Sequence, residues 1–128
     1  MRVLLDTHIL LWALGEPAKL PPQARQAILD PTNEILFSAA SIWEIAIKSQ
    51  LRRRDFVADA AEVAGAAVSS GFDELPVRAQ HTALTARLPM HHRDPFDRLL
   101  IAQAIREPLH LLTVDATLGK YTELVLMV

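Results

Sequence analysis

The chain has 128 residues, a length that suits one folded domain and leaves little room for a second. The absence of cysteine excludes disulfide bonds, thiolate metal ligands and a thiol nucleophile, and a formal charge of −2 excludes a broadly basic protein that coats nucleic acid. No apolar run approaches the ~20 residues that cross a bilayer, and the first residues do not resemble a signal peptide, so we expect a soluble, cytoplasmic protein with no membrane contact.

Short apolar runs alternate with longer helical patterns in the first half of the chain. Val3–Leu5 is too short for a helix and predicts a buried strand. The pattern then predicts a helix over 7–14 that ends at Gly15, a helix over Pro22–Leu29, a strand over 35–37, and a helix that begins after a Ser38 or Ser41 cap and ends near Leu51.

The second half continues this alternation. It predicts an Ala-rich helix from near Asp55 to Gly71, an edge strand over 72–77 interrupted by Pro76, a helix over 78–88, a helix from Pro95 to about Glu107 with Asp94 as its cap, a strand over 109–114 and a last strand over 124–128. Strands that alternate with helices predict an α/β fold with a parallel sheet and helices on both faces. Ligand sites in such sheets lie beyond the carboxyl ends of the strands.

Acidic residues occur at these predicted strand ends. Asp6 follows the first strand and Asp115 follows the strand over 109–114, while Glu44 lies in the helix after the second strand. Asp94 and Asp97 stand at the start of a later helix. Several carboxylates on one edge of a sheet repel one another unless a cation is present, and oxygen ligands suit Mg²⁺ or Mn²⁺.

Each carboxylate also has a purely structural interpretation. Asp6 and Asp94 could cap helices, Asp97 could stabilise a first helical turn through the helix dipole, and Asp115 could belong to a turn. Glu44 could pair with Lys48 one turn later. Glu44 is nevertheless the hardest to dismiss, because a lone acid among bulky apolar neighbours carries a desolvation cost.

Four segments resemble the PIN-domain nucleases and, more narrowly, the VapC toxins of toxin–antitoxin pairs. They are Leu4-Leu5-Asp6-Thr7-His8, the helix that contains Glu44, Asp94-Pro95-Phe96-Asp97-Arg98-Leu99-Leu100-Ile101-Ala102-Gln103-Ala104, and Leu111-Leu112-Thr113-Val114-Asp115. The resemblance covers the chain from end to end. It implies a three-layer α/β/α fold, Mg²⁺- or Mn²⁺-dependent endoribonuclease activity by in-line water attack, a homodimer and a small VapB-like antitoxin as partner.

The resemblance also assigns roles to residues. Asp6, Glu44, Asp97 and Asp115 match the family's acidic positions and are expected to be catalytic and to hold the metal, and Asp94 could share it. Thr7 and Thr113 are expected to support those carboxylates with their hydroxyl groups. His8 departs from the commoner Ser or Asn after Asp-Thr, which leaves open whether it packs or touches substrate.

Basic and imidazole side chains near the acids are candidates for substrate binding. His92 and Arg93 precede Asp94, and this segment could contact phosphate, donate a proton to the leaving oxygen, or simply form a polar loop. Arg98 could bind phosphate or pair with Asp97 or another acid. Arg52, Arg53 and Arg54 could follow an RNA backbone or form a solvated helix end.

Three other functions remain open from the sequence. A PIN-domain nuclease of RNA processing would carry the same acids. A Mg²⁺-dependent phosphohydrolase of the haloacid-dehalogenase type needs a second Asp two positions after the first, where this chain has His8. A catalytically inactive RNA- or protein-binding module would gain nothing from clustered negative charge. Without the four proposed metal ligands, basic residues outnumber acidic ones, so the charge of −2 does not exclude an RNA substrate.

Overall fold

The computed structural model describes residues 1–51 and 58–128, which form a parallel sheet with helices on its two faces. The strands are β1 (Arg2–Leu5), β2 (Glu34–Ser38), β3 (Asp73–Leu75), β4 (His110–Thr113) and β5 (Val125–Met127). Their order is β3-β2-β1-β4-β5, and every neighbouring pair is parallel. The predicted strands are therefore confirmed, with β3 at an edge and Pro76 directly after it.

The helices lie between the strands as predicted, although two of them have different bounds. They are α1 (Thr7–Gly15), α2 (Pro22–Leu29), α3 (Ala39–Gln50), α4 (Ala60–Ser69), α5 (Ala79–Thr85) and α6 (Pro95–Arg106), with short 3-10 turns at Pro17–Lys19 and Ala116–Lys120. Of the two predicted caps for α3, Ser38 is the observed one, since its Oγ accepts from the Ala40 N–H at 3.0 Å.

The prediction of a helix from near Asp55 is wrong about where that helix begins. Asp55 itself lies outside the described residues, but residues 58 and 59 are not helical and α4 begins at Ala60. The Asp59 side chain accepts from the Glu62 N–H at 3.0 Å and so caps this start.

The predicted helix over 78–88 is also too long, because α5 ends at Thr85. Beyond Thr85 the backbone leaves the α-helix, and the Arg98 guanidinium donates hydrogen bonds to two carbonyl oxygens in this region. Those are the oxygens of Thr85, at 2.7 Å, and Leu88, at 3.2 Å.

Side chains of β1 alternate between two apolar clusters, one on each face of the sheet. Leu4 belongs to the cluster that includes Leu100 and Ile101 of α6, whereas Leu5 belongs to the cluster that includes Ile9 and Leu10 of α1. Burial on both faces is why the central strands β1, β2 and β4 are mostly apolar. The result is the predicted three-layer α/β/α arrangement.

No helix in the described ranges 1–51 and 58–128 is long and apolar enough to cross a membrane.

Leu100→Ala should lower the free energy of unfolding by ~2–5 kcal/mol, because Leu100 is fully buried and its truncation leaves a cavity. Leu29→Ala, the matched change at a side chain 71% exposed, should alter it by less than ~0.5 kcal/mol. Urea denaturation of both variants measures the difference. Equal losses would contradict the placement of α6 in the core.

Candidate metal centre at the carboxyl edge of the sheet

Asp6 lies at the junction between β1 and α1 and is only 7% exposed. One oxygen, Oδ1, accepts from the Ile9 N–H at 2.8 Å and caps α1. The other oxygen, Oδ2, accepts from the Thr113 hydroxyl at the end of the neighbouring strand β4. The cap that the sequence offered as an alternative is therefore present, and the side chain also lies at the predicted edge.

Thr113 connects Asp6 with a second acid. Its Oγ1 donates to Asp6 and accepts from the Asp115 N–H at 3.0 Å. Asp115 in turn caps the 3-10 turn Ala116–Lys120, since Oδ1 accepts from the Thr117 N–H at 2.9 Å. One buried hydroxyl thus links the carboxylate of Asp6 with the backbone N–H of Asp115.

The start of α6 carries Asp94 and Asp97. Asp94 caps the helix, because its Oδ1 accepts from the N–H groups of Phe96, at 2.8 Å, and Asp97, at 3.2 Å. Its Oδ2 lies 3.6 Å from the Lys48 Nζ. Asp94 is therefore the helix cap that the sequence predicts. Asp97, one turn later, does not cap the helix.

Glu44 is 3% exposed on α3, and both of its carboxylate oxygens have partners. The Thr7 hydroxyl donates to Oε1 at 2.6 Å, and the Lys48 ammonium lies 2.6 Å from Oε2. The pair of Glu44 with Lys48 that the sequence offered is confirmed, and together with the Thr7 hydroxyl it compensates the buried charge. Thr7 does support a carboxylate, as the resemblance implied.

His92 lies against two of the acids. Its Nε2 is 3.0 Å from Asp115 Oδ2 and 3.3 Å from Asp97 Oδ2. Within the described part of the chain, His92, Asp97 and Asp115 form a group whose potential metal-ligating atoms all lie within 4.8 Å of one another. The sequence interpretation placed His92 in a polar loop near the site and did not place it between the acids.

Burial and like charges disfavour ionisation of the central acids. Burial, together with the negative charges of Asp94, Glu44 and Asp6, raises the pKa of Asp97 to about 7 from 3.8, against a smaller opposing effect of His92. Burial also raises the pKa of Asp6, and the hydrogen bonds from Thr113 and Ile9 only partly oppose this effect.

The ammonium group of Lys48 lies close to the carboxylates of both Glu44 and Asp94. Burial lowers the pKa of its ammonium, but the hydrogen bond with Glu44 and the charges of Glu44, Asp94 and Asp97 outweigh that effect and raise it. Lys48 thus neutralises the Glu44 side of the edge. Near Asp97 and Asp115, the contacts described above include the imidazole of His92 but no ammonium group.

A divalent cation fits this donor set. Asp6, Asp97 and Asp115 offer carboxylate oxygens at the ends of two adjacent strands and a helix, and oxygen donors are the ligands that Mg²⁺ and Mn²⁺ prefer. Burial raises the pKa of Asp6 and Asp97 and so disfavours their ionised forms, which a bound cation would stabilise.

The remaining predicted residues have other positions. Arg98 is 8% exposed, and its guanidinium donates to the Pro89 carbonyl and the Tyr121 hydroxyl as well as to the end of α5. The prediction that Arg98 pairs with an acid or binds phosphate is therefore wrong, because its donors are spent inside the protein.

The sequence also suggested roles for Arg93, for residues 52–54 and for His8. Arg93 is exposed beside His92, so a contact with substrate stays a prediction. Arg52, Arg53 and Arg54 lie outside the described residues. The ring of His8 lies 6.0 Å from that of Trp12, and both residues line a groove of about 630 Å³ with residues of α4.

Sequence reasoning did not place Tyr121 in the site, and it offered Lys48 as a partner of Glu44 but not of Asp94. Lys48 had one visible signal, its spacing of four residues from Glu44. Tyr121 had none, because its partners Arg98 and His92 are 23 and 29 residues away in the chain.

Comparison with known proteins gives consistent matches. A family model described as the PIN domain matches residues 3–124. Ribonuclease VapC22 of Mycobacterium tuberculosis (strain ATCC 25618 / H37Rv) is 31% identical over 129 residues, covering 93% of this chain and 91% of that protein. VapBC2 from Rickettsia felis, solved with a DNA fragment from its promoter, has a TM-score of 0.70 at 17% identity, covering 100% of this chain and 98% of the other. VapBC-1 from nontypeable Haemophilus influenzae has a TM-score of 0.61 at 15% identity, covering 94% and 91%.

Asp97→Asn should raise the melting temperature of the metal-free protein at pH 8, by about 3–6 °C for each kcal/mol gained. The pKa of Asp97 is about 7 in the folded protein and 3.8 in the unfolded chain, so the folded protein binds an extra proton between these two pH values. The free energy of unfolding therefore falls as the pH rises through this window. The variant should lose this part of the pH dependence. Thermal melts from pH 4 to pH 8 test this.

The exposed Asp73→Asn is the matched control for the Asp97 variant. It should leave both the melting temperature and its pH dependence close to those of the unmodified protein. A stability of Asp97→Asn that falls with pH as steeply as in the unmodified protein would contradict the charge crowding.

Proposed function

Since the chain belongs to the PIN-domain family, we propose that it is a VapC-like, divalent-metal-dependent endoribonuclease that acts as the toxin of a toxin–antitoxin pair. The observation that carries this proposal is the cluster of the Asp97 and Asp115 carboxylates around His92, together with the hydrogen bonds by which Thr113 links Asp6 to Asp115. The match to a named VapC ribonuclease over 93% of the chain supports it.

Asp6, Asp97 and Asp115 would hold the cation, and Glu44 would complete the site. Mg²⁺ or Mn²⁺ bound there would stabilise the negative charge that develops on the scissile phosphate during in-line displacement. Thr113 holds the Asp6 carboxylate and is itself bonded to the Asp115 backbone, which limits how far Asp6 would reorganise as the reaction proceeds. Lys48 holds Glu44 and Asp94 at the other side of the edge.

The protein's own groups also determine where a proton can move. Burial and neighbouring negative charges raise the pKa of Asp97 to about 7 before cation binding. A bound cation would favour its ionised form, which lets the carboxylate orient the attacking water. His92 and Arg93 border this position, and the exposed Arg93 is available to a phosphate of the RNA backbone.

The partners follow from the same relatives. Two structures with this fold are described as VapBC, one of them bound to promoter DNA. We propose a small VapB-like antitoxin as the partner that silences this chain, a homodimer as its assembly, and the cytoplasm as the place where it meets RNA.

Purified, antitoxin-free protein should cleave structured RNA with Mn²⁺ or Mg²⁺ and lose the activity after chelation. Asp6→Asn and Asp97→Asn should each reduce the rate by at least ~100-fold, because each removes a charged ligand. Gel analysis of end-labelled RNA measures the rates, and the exposed Asp73→Asn is the matched control. Equal cleavage by all variants, or by chelated samples, would show that the nuclease is a contaminant or uses another site. Release of phosphate from small monoesters without RNA cleavage would favour a phosphohydrolase.

Expression of the chain alone should arrest growth, and Asp97→Asn should abolish the arrest. Colony counts after induction measure this, with immunoblots to confirm equal protein levels. Growth should return when a short open reading frame adjacent to the gene is co-expressed. Unimpaired growth with cleavage intact in vitro would favour a nuclease of RNA processing over a toxin.

A further inference from the structure

The loop between α5 and α6, residues 86–94, is held from inside by Arg98. The guanidinium donates to carbonyl oxygens at the start of this loop, Leu88 at 3.2 Å and Pro89 at 2.9 Å, as well as to Thr85 at 2.7 Å. Arg98 is 8% exposed and follows Asp97 directly. The loop is therefore attached to the helix that carries Asp97.

Tyr121 ties the same loop to a third segment. Its hydroxyl accepts from the His92 N–H at 2.8 Å and from Arg98 Nη1 at 3.1 Å. Tyr121 directly follows the 3-10 turn Ala116–Lys120, which Asp115 caps. One hydroxyl thus connects the three segments that carry His92, Asp97 and Asp115.

The hydrogen bonds of His92 fix the position of its ring proton. Nδ1 accepts from the Asp94 N–H at 3.0 Å, so Nδ1 presents a lone pair to the backbone. In the neutral ring the proton then lies on Nε2, which faces Asp115 and Asp97. A metal bound at Nε2 would require the proton on Nδ1, where it would oppose the Asp94 N–H. The ring is set to donate to the carboxylates and is not set to coordinate a cation beside them.

We propose that Tyr121 and Arg98 are positioning residues that hold His92 as a hydrogen-bond donor to Asp97 and Asp115, and that this donor orients the two carboxylates for the cation. The inference rests on the proposed function, since it concerns the same site. It gives His92 a role different from substrate binding. It also gives the buried Arg98 and the distant Tyr121 a common role, because both contact the loop that carries His92.

The test compares four variants by Mn²⁺ affinity, measured by calorimetry and by the electron paramagnetic resonance signal of free Mn²⁺. His92→Gln keeps a side-chain N–H near the Nε2 position, whereas His92→Asn keeps only the acceptor near Nδ1. Gln should stay within ~3-fold of the unmodified protein, and Asn should weaken binding by ~10-fold or more. Tyr121→Phe, which removes only the hydroxyl, should weaken it by a similar factor.

Ile35→Val, a conservative core truncation near the opposite end of β2, is the fourth variant and the stability control. It should lower the melting temperature without changing Mn²⁺ affinity. Metal-free melts of all four variants separate loss of fold from loss of the donor. If Tyr121→Phe and His92→Asn bind Mn²⁺ as tightly as the unmodified protein, the inference is overturned.

A spectroscopic readout separates a donor from a ligand. Electron spin echo measurements on Mn²⁺-loaded protein detect a directly bound imidazole nitrogen, and we expect no such coupling. A nitrogen coupling that disappears in His92→Gln would make His92 a ligand and overturn the inference. An unmodified protein that binds Mn²⁺ and cleaves RNA while the variants do not differ leaves the proposed function intact. Failure of the unmodified protein to bind Mn²⁺ would overturn both.

Discussion

Burial of several carboxylates at one edge of a parallel sheet is the constraint on which the rest of this structure depends. Burial and neighbouring negative charges raise the pKa of Asp97, and burial raises that of Asp6, so these acids destabilise the fold when they are ionised without a cation. The described residues offset this cost with hydroxyl donors, one shared ammonium and the N–H groups of helix starts. Lys48 serves Glu44 and Asp94, and Thr113 serves Asp6. A protein that keeps such charge in its interior must gain something from it, and the proposed cation binding would supply that gain.

Three of the acids cap a helix or turn and contribute to the site with the same side chain. Asp6, Asp94 and Asp115 each direct Oδ1 to a backbone N–H at a helical start. Each directs Oδ2 elsewhere: to Thr113 for Asp6, to Lys48 for Asp94 and to His92 for Asp115. Structural and functional interpretations of these residues are therefore not alternatives. The cap fixes one oxygen and the helix N-terminus favours the negative charge, which leaves the second oxygen oriented toward the site.

Sequence reasoning reached most of the fold and the acids because both depend on local patterns. Short apolar runs define β1, β2 and β4, and the Asp94-Pro95 pair defines the start of α6. The predictions that failed concern residues whose roles depend on partners distant in the chain. The end of α5 and the role of Arg98 were both mistaken for one reason: the guanidinium binds backbone carbonyls that no spacing rule connects to it. Glu44 was expected to be buried, and it is, but the partner Thr7 comes from another helix.

By itself the sequence determined the fold class, the order of strands and helices, and the acids that end up at the carboxyl edge, because strand length, helix caps and the parallel connection are set by residues near one another in the chain. Only the tertiary structure decided which oxygen of each carboxylate faces the site, that Lys48 bridges Glu44 and Asp94, and that His92 stands between Asp97 and Asp115. These choices join α3, α6, the loop before α6 and the end of β4. Hydrogen-bond direction and charge compensation across such separations arise only once the sheet and its layers have packed.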